Sequence, residues 1–392
     1  MKFDLERYVT LRRQLHGMPE LGYEEHQTAA VIREELSWLG IEHVCGVEGA
    51  ATATVALLGD QRKPCVALRA DIDALPIVEQ TGLPYVSRHD GRMHACGHDG
   101  HIATLLAAAS VLRSIHDELP VCVKLLFQPA EEGGAGGRAL TEAGVLDGRI
   151  GPKVSAIFGL HGWPGLPVGT VATRPGPLLA ATDTFEVRFV GRGGHGAFPH
   201  WCRDPIVPAC EAVMNLQQVA SRDRDPTDPV VVTVGMIHAG TATNVIPDEA
   251  ILRGTARTLQ PETRRLVRQS IERRCQGIAR AAGCEALVQY DEGYPATIND
   301  PAMTDFVAET ARMTLGTNRF FLAERPSMGG EDFAYYLEHV PGCFFMVGLI
   351  PEGRDDYPAL HSDRFDFNDE AIATGATMFV ELARRFRPTS TR

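Results

Sequence analysis

Nine residues in the first third of the chain, "MHACGHDGH" at positions 93–101, contain three histidines, a cysteine and an aspartate. Cys96 and His98 lie two residues apart in a glycine-containing loop, so both side chains can face one ion. Thiolate and imidazole are both strong ligands for first-row metals. We therefore interpret Cys96 and His98 as candidate metal ligands.

The remaining polar residues of this stretch have a plainer structural interpretation. His94 and His101 could be exposed residues of a loop and of a first helical turn, and Asp99 could cap a helix that begins near His101. For Asp99 and His101 we expect this role.

More candidate ligands stand where buried strands end. In an open α/β sheet, ligands bind beyond the carboxyl ends of the strands. The residues in such positions are Asp71 and Asp73 after "CVALRA", Glu131 and Glu132 after "VKLLFQPA", His161 after "VSAIFGL", and His361 a short loop after "CFFMVGLI". We expect all of these strands to deliver polar groups to one edge.

The adjacent pair Glu131 and Glu132 suits two different roles. At a strand end their side chains point in opposite directions, so one can bind an ion while the other contacts a water on that ion. Because adjacent carboxylates repel each other, both stay ionised at a low free-energy cost only when a cation is near. Taken alone, the pair would be interpreted as a solvated acidic turn leading into "GGAGG".

The pattern of helices and strands predicts an α/β protein with two domains. The first half alternates amphipathic helices with continuous apolar strands, which are typical of a largely parallel sheet buried on both faces. From about residue 182 the order becomes β-α-β-β-α-β, a ferredoxin-like unit, and the α/β pattern resumes after about residue 295. We predict a catalytic domain of residues 1–181 and 296–392, with residues 182–295 inserted as a smaller domain.

The inserted segment contributes three further polar residues. His195 lies in "GRGGHGAFPH", Asn244 in "GTATNVIP" and Arg257 in "RGTARTL". A single histidine or asparagine in a glycine-rich turn usually serves the turn itself. On their own these residues indicate no function.

Composition limits the class of protein. A hydrophobic share of 44% and a charged share of 22% are ordinary for a globular chain. The formal net charge of −12 argues against a general nucleic-acid binder, which needs surplus Lys and Arg. The sequence lacks an apolar run long enough to span a bilayer. Nine scattered cysteines form no disulfide framework, which is typical of a reducing compartment. Together these features predict a cytoplasmic protein without membrane or nucleic-acid partners.

Taken in order, the motifs resemble the di-metal amidohydrolase and peptidase superfamily of aminoacylase and glutamate carboxypeptidase, and most closely its hippurate hydrolase and auxin-amino-acid conjugate hydrolase branch. The motifs that carry the resemblance are "RRQLHGMPELGYEE", "RADIDALP", "HACGHDGH", "FQPAEEGGAG", "LHGWP", "GGHGAFPH", "GTATNVIP", "MGGEDFAYY" and "ALHSDRFDFND". The resemblance implies a zinc-peptidase-like α/β/α catalytic domain and a ferredoxin-like lid and dimerisation domain.

The same resemblance implies roles for individual residues. Two divalent ions would be bound, with the Cys96 thiolate bridging them, by Cys96, His98, Glu132, His161 and His361. Glu131 would be the general base, and His195 of a partner subunit would stabilise the oxyanion. Asn244 and Arg257 would contact the substrate carboxylate or oxyanion. The ligand types tolerate Zn, Mn, Co or Ni, and a homodimer, or a tetramer, is implied.

Two positions depart from the wider superfamily. Other branches carry a metal-binding histidine at the position of Asp71, so we expect Asp71 and Asp73 to support the ligands from behind. Gly162 stands where a bulkier residue is usual, and we expect it to widen the floor of the pocket.

We predict hydrolysis of the amide bond in N-acyl amino acids, hippurate-like or N-acetylated, by a metal-activated water with Glu131 as base. One alternative is an amidase in which Cys96 is the nucleophile, and another is a catalytically silent metal-binding relative. The absence of a Gly-x-Ser-x-Gly elbow gives no support to a serine hydrolase.

Overall fold

An eight-stranded sheet organises most of the structure, a computed structural model that describes residues 3–387. The helices are α1 (Leu5–His16), α2 (His26–Trp38), α3 (His98–Ser114), α4 (Gly136–Ala143), α5 (Ile206–Arg222), α6 (Pro261–Ala281), α7 (Pro301–Leu315), α8 (Ala334–Leu337) and α9 (Ala371–Arg385). The strands are β1 (His43–Val47), β2 (Ala50–Leu58), β3 (Cys65–Asp71), β4 (Cys122–Gln128), β5 (Val154–Pro167), β6 (Val171–Thr173), β7 (Gly176–Leu179), β8 (Ala181–Val190), β9 (Gly194–His195), β10 (Val230–Ala239), β11 (Val245–Ile246), β12 (Glu249–Thr258), β13 (Glu285–Glu292), β14 (Thr297–Asn299), β15 (Phe320–Leu322) and β16 (Gly342–Ile350).

The chain forms two compact units. The larger comprises residues 3–176, 298–325 and 332–387 of the described chain, and the smaller comprises residues 177–297 and 326–331. The large sheet has the order β1-β2-β4-β3-β5-β16-β6-β15. Its central strands β4, β3, β5 and β16 are mutually parallel.

Helices cover both faces of this sheet. Alternate residues of β16, such as Phe345 and Val347, belong to the core shared with α3 and α9. Phe344, which points to the other face, contacts Phe333 beside α8, with ring centroids 5.0 Å apart. Because both faces are covered, β3 and β4 are buried along their whole length. The predicted α/β class with a large sheet is confirmed, and four of its seven strand pairings are parallel. The pairings β1–β2, β2–β4 and β16–β6 are antiparallel.

The smaller unit contains a four-stranded antiparallel sheet of order β10-β12-β8-β13. In chain order its elements run β8, α5, β10, β12, α6 and β13, and both helices pack against the sheet. Residues of β8 alternate between buried and more exposed positions, as expected for a sheet with one covered face. The limits 182–295 and the roles of lid and dimerisation domain stay predictions.

None of the helices within residues 3–387 is both long and apolar enough to cross a membrane. All nine cysteines are free thiols, and six of them are buried. Most cysteines therefore act as small apolar core residues, as the sequence predicts.

Candidate active site

Neighbouring strands bring their polar residues to one edge of the large sheet. β3 ends at Asp71, and Glu131 follows the end of β4. His161 lies inside β5 and not after it, so this detail of the prediction was wrong. β5 pairs with β3 only as far as Gly159 and then continues alongside β16. In this parallel register Arg69 pairs with Gly159, so His161 lies level with Asp71, the last residue of β3, and reaches the same edge.

His361 reaches the site from a loop through an unusual backbone conformation. Its φ angle of 64° lies in the left-handed region, which non-glycine residues seldom adopt outside functional or tightly constrained sites. The backbone N–H of His361 donates to the carbonyl of Ala95 at 2.8 Å. This bond fixes the loop directly beside Cys96.

Cysteine, histidine and glutamate side chains form three overlapping groups in which the ligand atoms lie within 4.8 Å of one another. The groups are Cys96, His98 and His161; Cys96, Glu132 and His361; and His98, Glu131 and Glu132. Cys96 belongs to two groups that share no other member. Cys96 is therefore within ligand distance of two separate pairs, His98 with His161 and Glu132 with His361.

Hydrogen bonds set the tautomers of two of these histidines. His98 Nδ1 lies 3.2 Å from Asp73 Oδ1, and His161 Nδ1 lies 2.8 Å from the carbonyl of Gly162. Both Nδ1 atoms must donate in these contacts, so the neutral form of each ring has its lone pair on Nε2. The Nε2 atom of His161 lies 3.3 Å from Cys96 Sγ.

The surroundings of the buried His98 Nε2 atom indicate whether a metal ion fits this group of residues. This atom has no hydrogen-bond partner within the described part of the chain. Such an atom is costly in a protein interior unless something binds it. A divalent cation suits this atom and the neighbouring sulfur, because carboxylate-oriented imidazoles and thiolates are typical zinc-type ligands.

The pKa shifts of Cys96 and His98 also favour a metal site over a cysteine nucleophile. Without a cation, burial and the carboxylates of Glu132 and Glu131 raise the pKa of the Cys96 thiol well above its usual range. A cysteine nucleophile needs the opposite, a lowered pKa. Burial alone would lower the pKa of His98, but Asp71 and the other nearby carboxylates outweigh it and raise this pKa to about 10. Metal binding would therefore have to displace protons from the site.

The two adjacent glutamates make different contacts. Glu132 Oε1 lies 3.3 Å from His361 Nε2. Glu132 and His361 both belong to one ligand group with Cys96. Glu131 belongs to neither group that contains Cys96, and its Oε1 accepts from the backbone N–H of Asp332 at 3.4 Å. Glu131 is buried, and Glu132 is partly exposed.

Asp71 and Asp73 lie behind the histidines. Asp73 binds both His98 and, through Oδ2, the backbone N–H of Glu132 at 2.9 Å. Asp71 Oδ1 lies 2.6 Å from His101 Nδ1. Asp71 also forms an alternative ligand group with His98 and His101.

The expected exposure of His94 and His101 and the capping role of Asp99 were wrong. All three residues are buried, and α3 begins at His98 with Gly97 at the cap position. Asp99 Oδ2 instead contacts two residues of α1, Arg12 at 3.2 Å and His16 at 2.9 Å.

Sequence reasoning missed this buried ion-pair cluster. Arg12 also binds Asp366 and Asp369, which follow His361 in the chain. The available signal was the spacing of Arg12 and His16, since residues four apart lie on one face of a helix.

Gly162 does not widen a pocket. A Cβ atom there would lie 2.8 Å from a ring carbon of Phe367 and 3.0 Å from a methyl group of Leu349. The space that a larger residue would need is therefore filled, and the expectation was wrong.

In the smaller unit, His195 and Asn244 lie on neighbouring segments. β9 pairs with β11, and the N–H of Gly196 donates to the carbonyl of Asn244 at 2.8 Å. The N–H of Ala197 donates to His195 Nδ1 at 3.0 Å, so a neutral His195 carries its proton on Nε2. The ring of His195 is exposed and can act as a donor.

Arg257 lies elsewhere in the smaller unit, in the inner strand β12, where it pairs in register with Thr182 of β8. It is half-buried, and burial lowers its pKa. Its guanidinium Nη1 donates to the carbonyl of Ala256 at 3.4 Å.

An α/β sheet whose strand ends gather thiol, imidazole and carboxylate groups is typical of metal-dependent hydrolases. The model of the peptidase family M20/M25/M40 matches residues 67–385, and the chain belongs to this family. The resemblance inferred from the motifs is thereby confirmed.

Curated relatives and solved structures resemble the chain over nearly its whole length. N-acetyl-L-cysteine deacetylase of Bacillus subtilis (strain 168) is 42% identical over 381 residues, 97% of this chain and 88% of that protein. IAA-amino acid hydrolase ILR1-like 4 of Arabidopsis thaliana is 39% identical over 382 residues, 96% of this chain and 85% of that protein. The crystal structure of Bacillus subtilis YXEP, described as a dinuclear metal binding peptidase from the M20 family, has a TM-score of 0.83, 39% identity and 97% coverage of both chains.

Proposed function

We propose that this protein is a metal-dependent amidohydrolase that cleaves the amide bond of N-acyl amino acids. The observation that carries the proposal is the pair of ligand groups that share Cys96. The relatives named for N-acetylcysteine deacetylation and for hydrolysis of IAA-amino acids support this class of substrate.

We assign two divalent ions, Zn, Mn, Co or Ni, to Cys96, His98, Glu132, His161 and His361. The name of the YXEP structure supports two ions. When bound, such ions polarise a carbonyl group and lower the pKa of water.

Glu131 is assigned as the general base. It is buried beside His98 and Glu132 but outside the two ligand groups that contain Cys96. Its carboxylate would take a proton from the attacking water and then deliver that proton to the leaving nitrogen.

His195 is assigned as a donor to the developing oxyanion in the site of a partner subunit. His195 is exposed, and its Nδ1 accepts from the N–H of Ala197, so the neutral ring carries its proton on Nε2. Removal of one oxyanion donor in other enzymes costs about 3 kcal/mol of transition-state stabilisation. Asn244 and Arg257 are assigned to the substrate carboxylate or oxyanion. A homodimer and a cytoplasmic location complete the proposal.

The test is metal removal. Dialysis against a chelator should abolish hydrolysis of N-acetyl, N-benzoyl and indole-acetyl amino acids, and Zn, Mn, Co or Ni should restore it, with metal content measured on the same samples. Full activity in metal-free protein would favour Cys96 as a nucleophile. Protein that holds two ions but cleaves none of these conjugates would be a silent relative.

A further inference from the structure

His101 is a buried histidine that the proposed mechanism does not use. It lies on α3, and its ring centroid is 4.6 Å from that of His161. Because it also forms a ligand group with Asp71 and His98, it is itself a candidate metal ligand. The hydrogen bonds of His101 show whether its ring has a free lone pair with which to bind a metal ion.

Both ring nitrogens of His101 are already engaged. Nδ1 lies 2.6 Å from Asp71 Oδ1, and Nε2 lies 2.9 Å from the backbone nitrogen of Gly162. A backbone N–H can only donate, so Nε2 is the acceptor and the ring proton is on Nδ1. No lone pair remains for an ion.

Gly162 links His101 to a proposed ligand. Its N–H donates to His101, while its carbonyl accepts from His161 Nδ1 at 2.8 Å. Since Phe367 and Leu349 fill the space where a Cβ would be, the backbone of Gly162 has little room to shift. The orientation of His161 thus depends on a residue that His101 holds in place.

The other end of this chain of contacts is also anchored. Asp71 accepts from a buried guanidinium nitrogen of Arg69 at 2.7 Å. The contacts therefore run without a gap from Arg69 through Asp71, His101 and Gly162 to His161.

We propose that His101 is a positioning residue and not a metal ligand: through Gly162 it holds His161 with its proton on Nδ1 and its Nε2 lone pair directed toward the ion site. The inference rests on the proposed function, in which His161 binds metal. Groups that orient metal-binding histidines in this way typically change metal affinity 10- to 100-fold when removed.

The first experiment titrates chelator-treated protein with Co²⁺ and follows its visible and thiolate absorption. His101→Asn keeps a donor near Asp71 but loses the acceptor for Gly162, whereas His101→Gln can place an oxygen near the position of Nε2. We expect His101→Asn to bind at least one Co²⁺ about 10- to 100-fold more weakly yet still bind two at saturation. His101→Gln should recover much of this loss.

The control is His161→Asn, which removes a proposed ligand and should lower the number of ions bound at saturation. If His101→Asn also lost an ion at saturation, His101 would be a ligand and the proposal would be overturned. Unchanged Co²⁺ affinity in His101→Asn would overturn it as well.

The second experiment needs no metal. Nitrogen-15 NMR of the metal-free wild-type protein should show neutral His161 and His101 each protonated on Nδ1, and His161 should lose this preference in His101→Asn. Protonation of His161 on Nε2 in the wild type would refute the positioning role, even if the variants fail to fold. A wild type that binds fewer than two Co²⁺ would instead overturn the proposed function.

Discussion

The adjacent residues Glu131 and Glu132 are of one type, and we propose different roles for them. Their contacts differ: the side chain of Glu132 meets His361, and the side chain of Glu131 meets the backbone of Asp332. Glu131→Gln should therefore lower kcat by about 10²- to 10⁴-fold and still bind two ions. Glu132→Gln, which weakens a ligand, should lower the metal content as well as the activity.

Metal analysis of both variants beside steady-state kinetics provides the check. Gln is nearly the same size as Glu, so each variant is the shape control for the other. A Glu131→Gln protein that lost metal while Glu132→Gln kept both ions would reverse the assignment.

At the residue scale, the sequence predicted the candidate ligands but not the surroundings of Asp99. Candidates such as Asp71 and Glu131 were predictable because neighbouring parallel strands end at one edge of the sheet, whereas the choice of the five proposed ligands came from the family resemblance. The role of Asp99 depends on Arg12 and His16, which lie far away in the chain. No local pattern around Asp99 reports such a partner.

Among the elements, α3 packs closely against the ring of Phe367. A Cβ on Gly100 would lie 2.2 Å from a ring carbon of Phe367. Gly100→Ala should therefore cost about 1–3 kcal/mol of unfolding free energy through overpacking.

The matched control is Gly277→Ala in α6, where a Cβ would meet no heavy atom within 4 Å. Here alanine should stabilise by about 0.5–1 kcal/mol, because glycine loses more backbone entropy in a helix. Urea unfolding followed by circular dichroism measures both. Equal stability of Gly100→Ala and the wild type would show that Phe367 can move aside.

Element types were predicted better than element ends. The continuous apolar runs of β3, β4 and β16 indicated buried strands, and all three are buried. The start of α3 and the length of β5 were missed. The start of α3 depends on the glycine at its cap position, and the length of β5 depends on its pairing with the distant β16. The pattern of hydrophobic residues gives no information about either.

At the scale of the whole molecule, the role of His195 is the sharpest question. If each subunit lends His195 to its partner and keeps its own Glu131, inactive Glu131→Ala and inactive His195→Ala proteins should complement each other. Random exchange makes about half of the dimers hybrids with one competent site of two, so roughly a quarter of wild-type activity should return.

Subunit exchange must be verified independently, for example by native mass spectrometry of tagged chains. If exchange occurs and no activity returns, His195 serves its own subunit or none. Each parent variant incubated alone is the control for spontaneous recovery.

The order of strands in the large sheet also affects how the chain must be made. β16 inserts between β5 and β6, yet roughly 175 residues separate the end of β5 from the start of β16. At about 5–20 residues per second, the ribosome takes ~10 s or more to supply the missing strand. For that time the nascent chain carries an unpaired apolar edge at the centre of its future sheet, and such edges recruit other strands. This topology therefore leaves the growing chain open to association with its neighbours until β16 has been made.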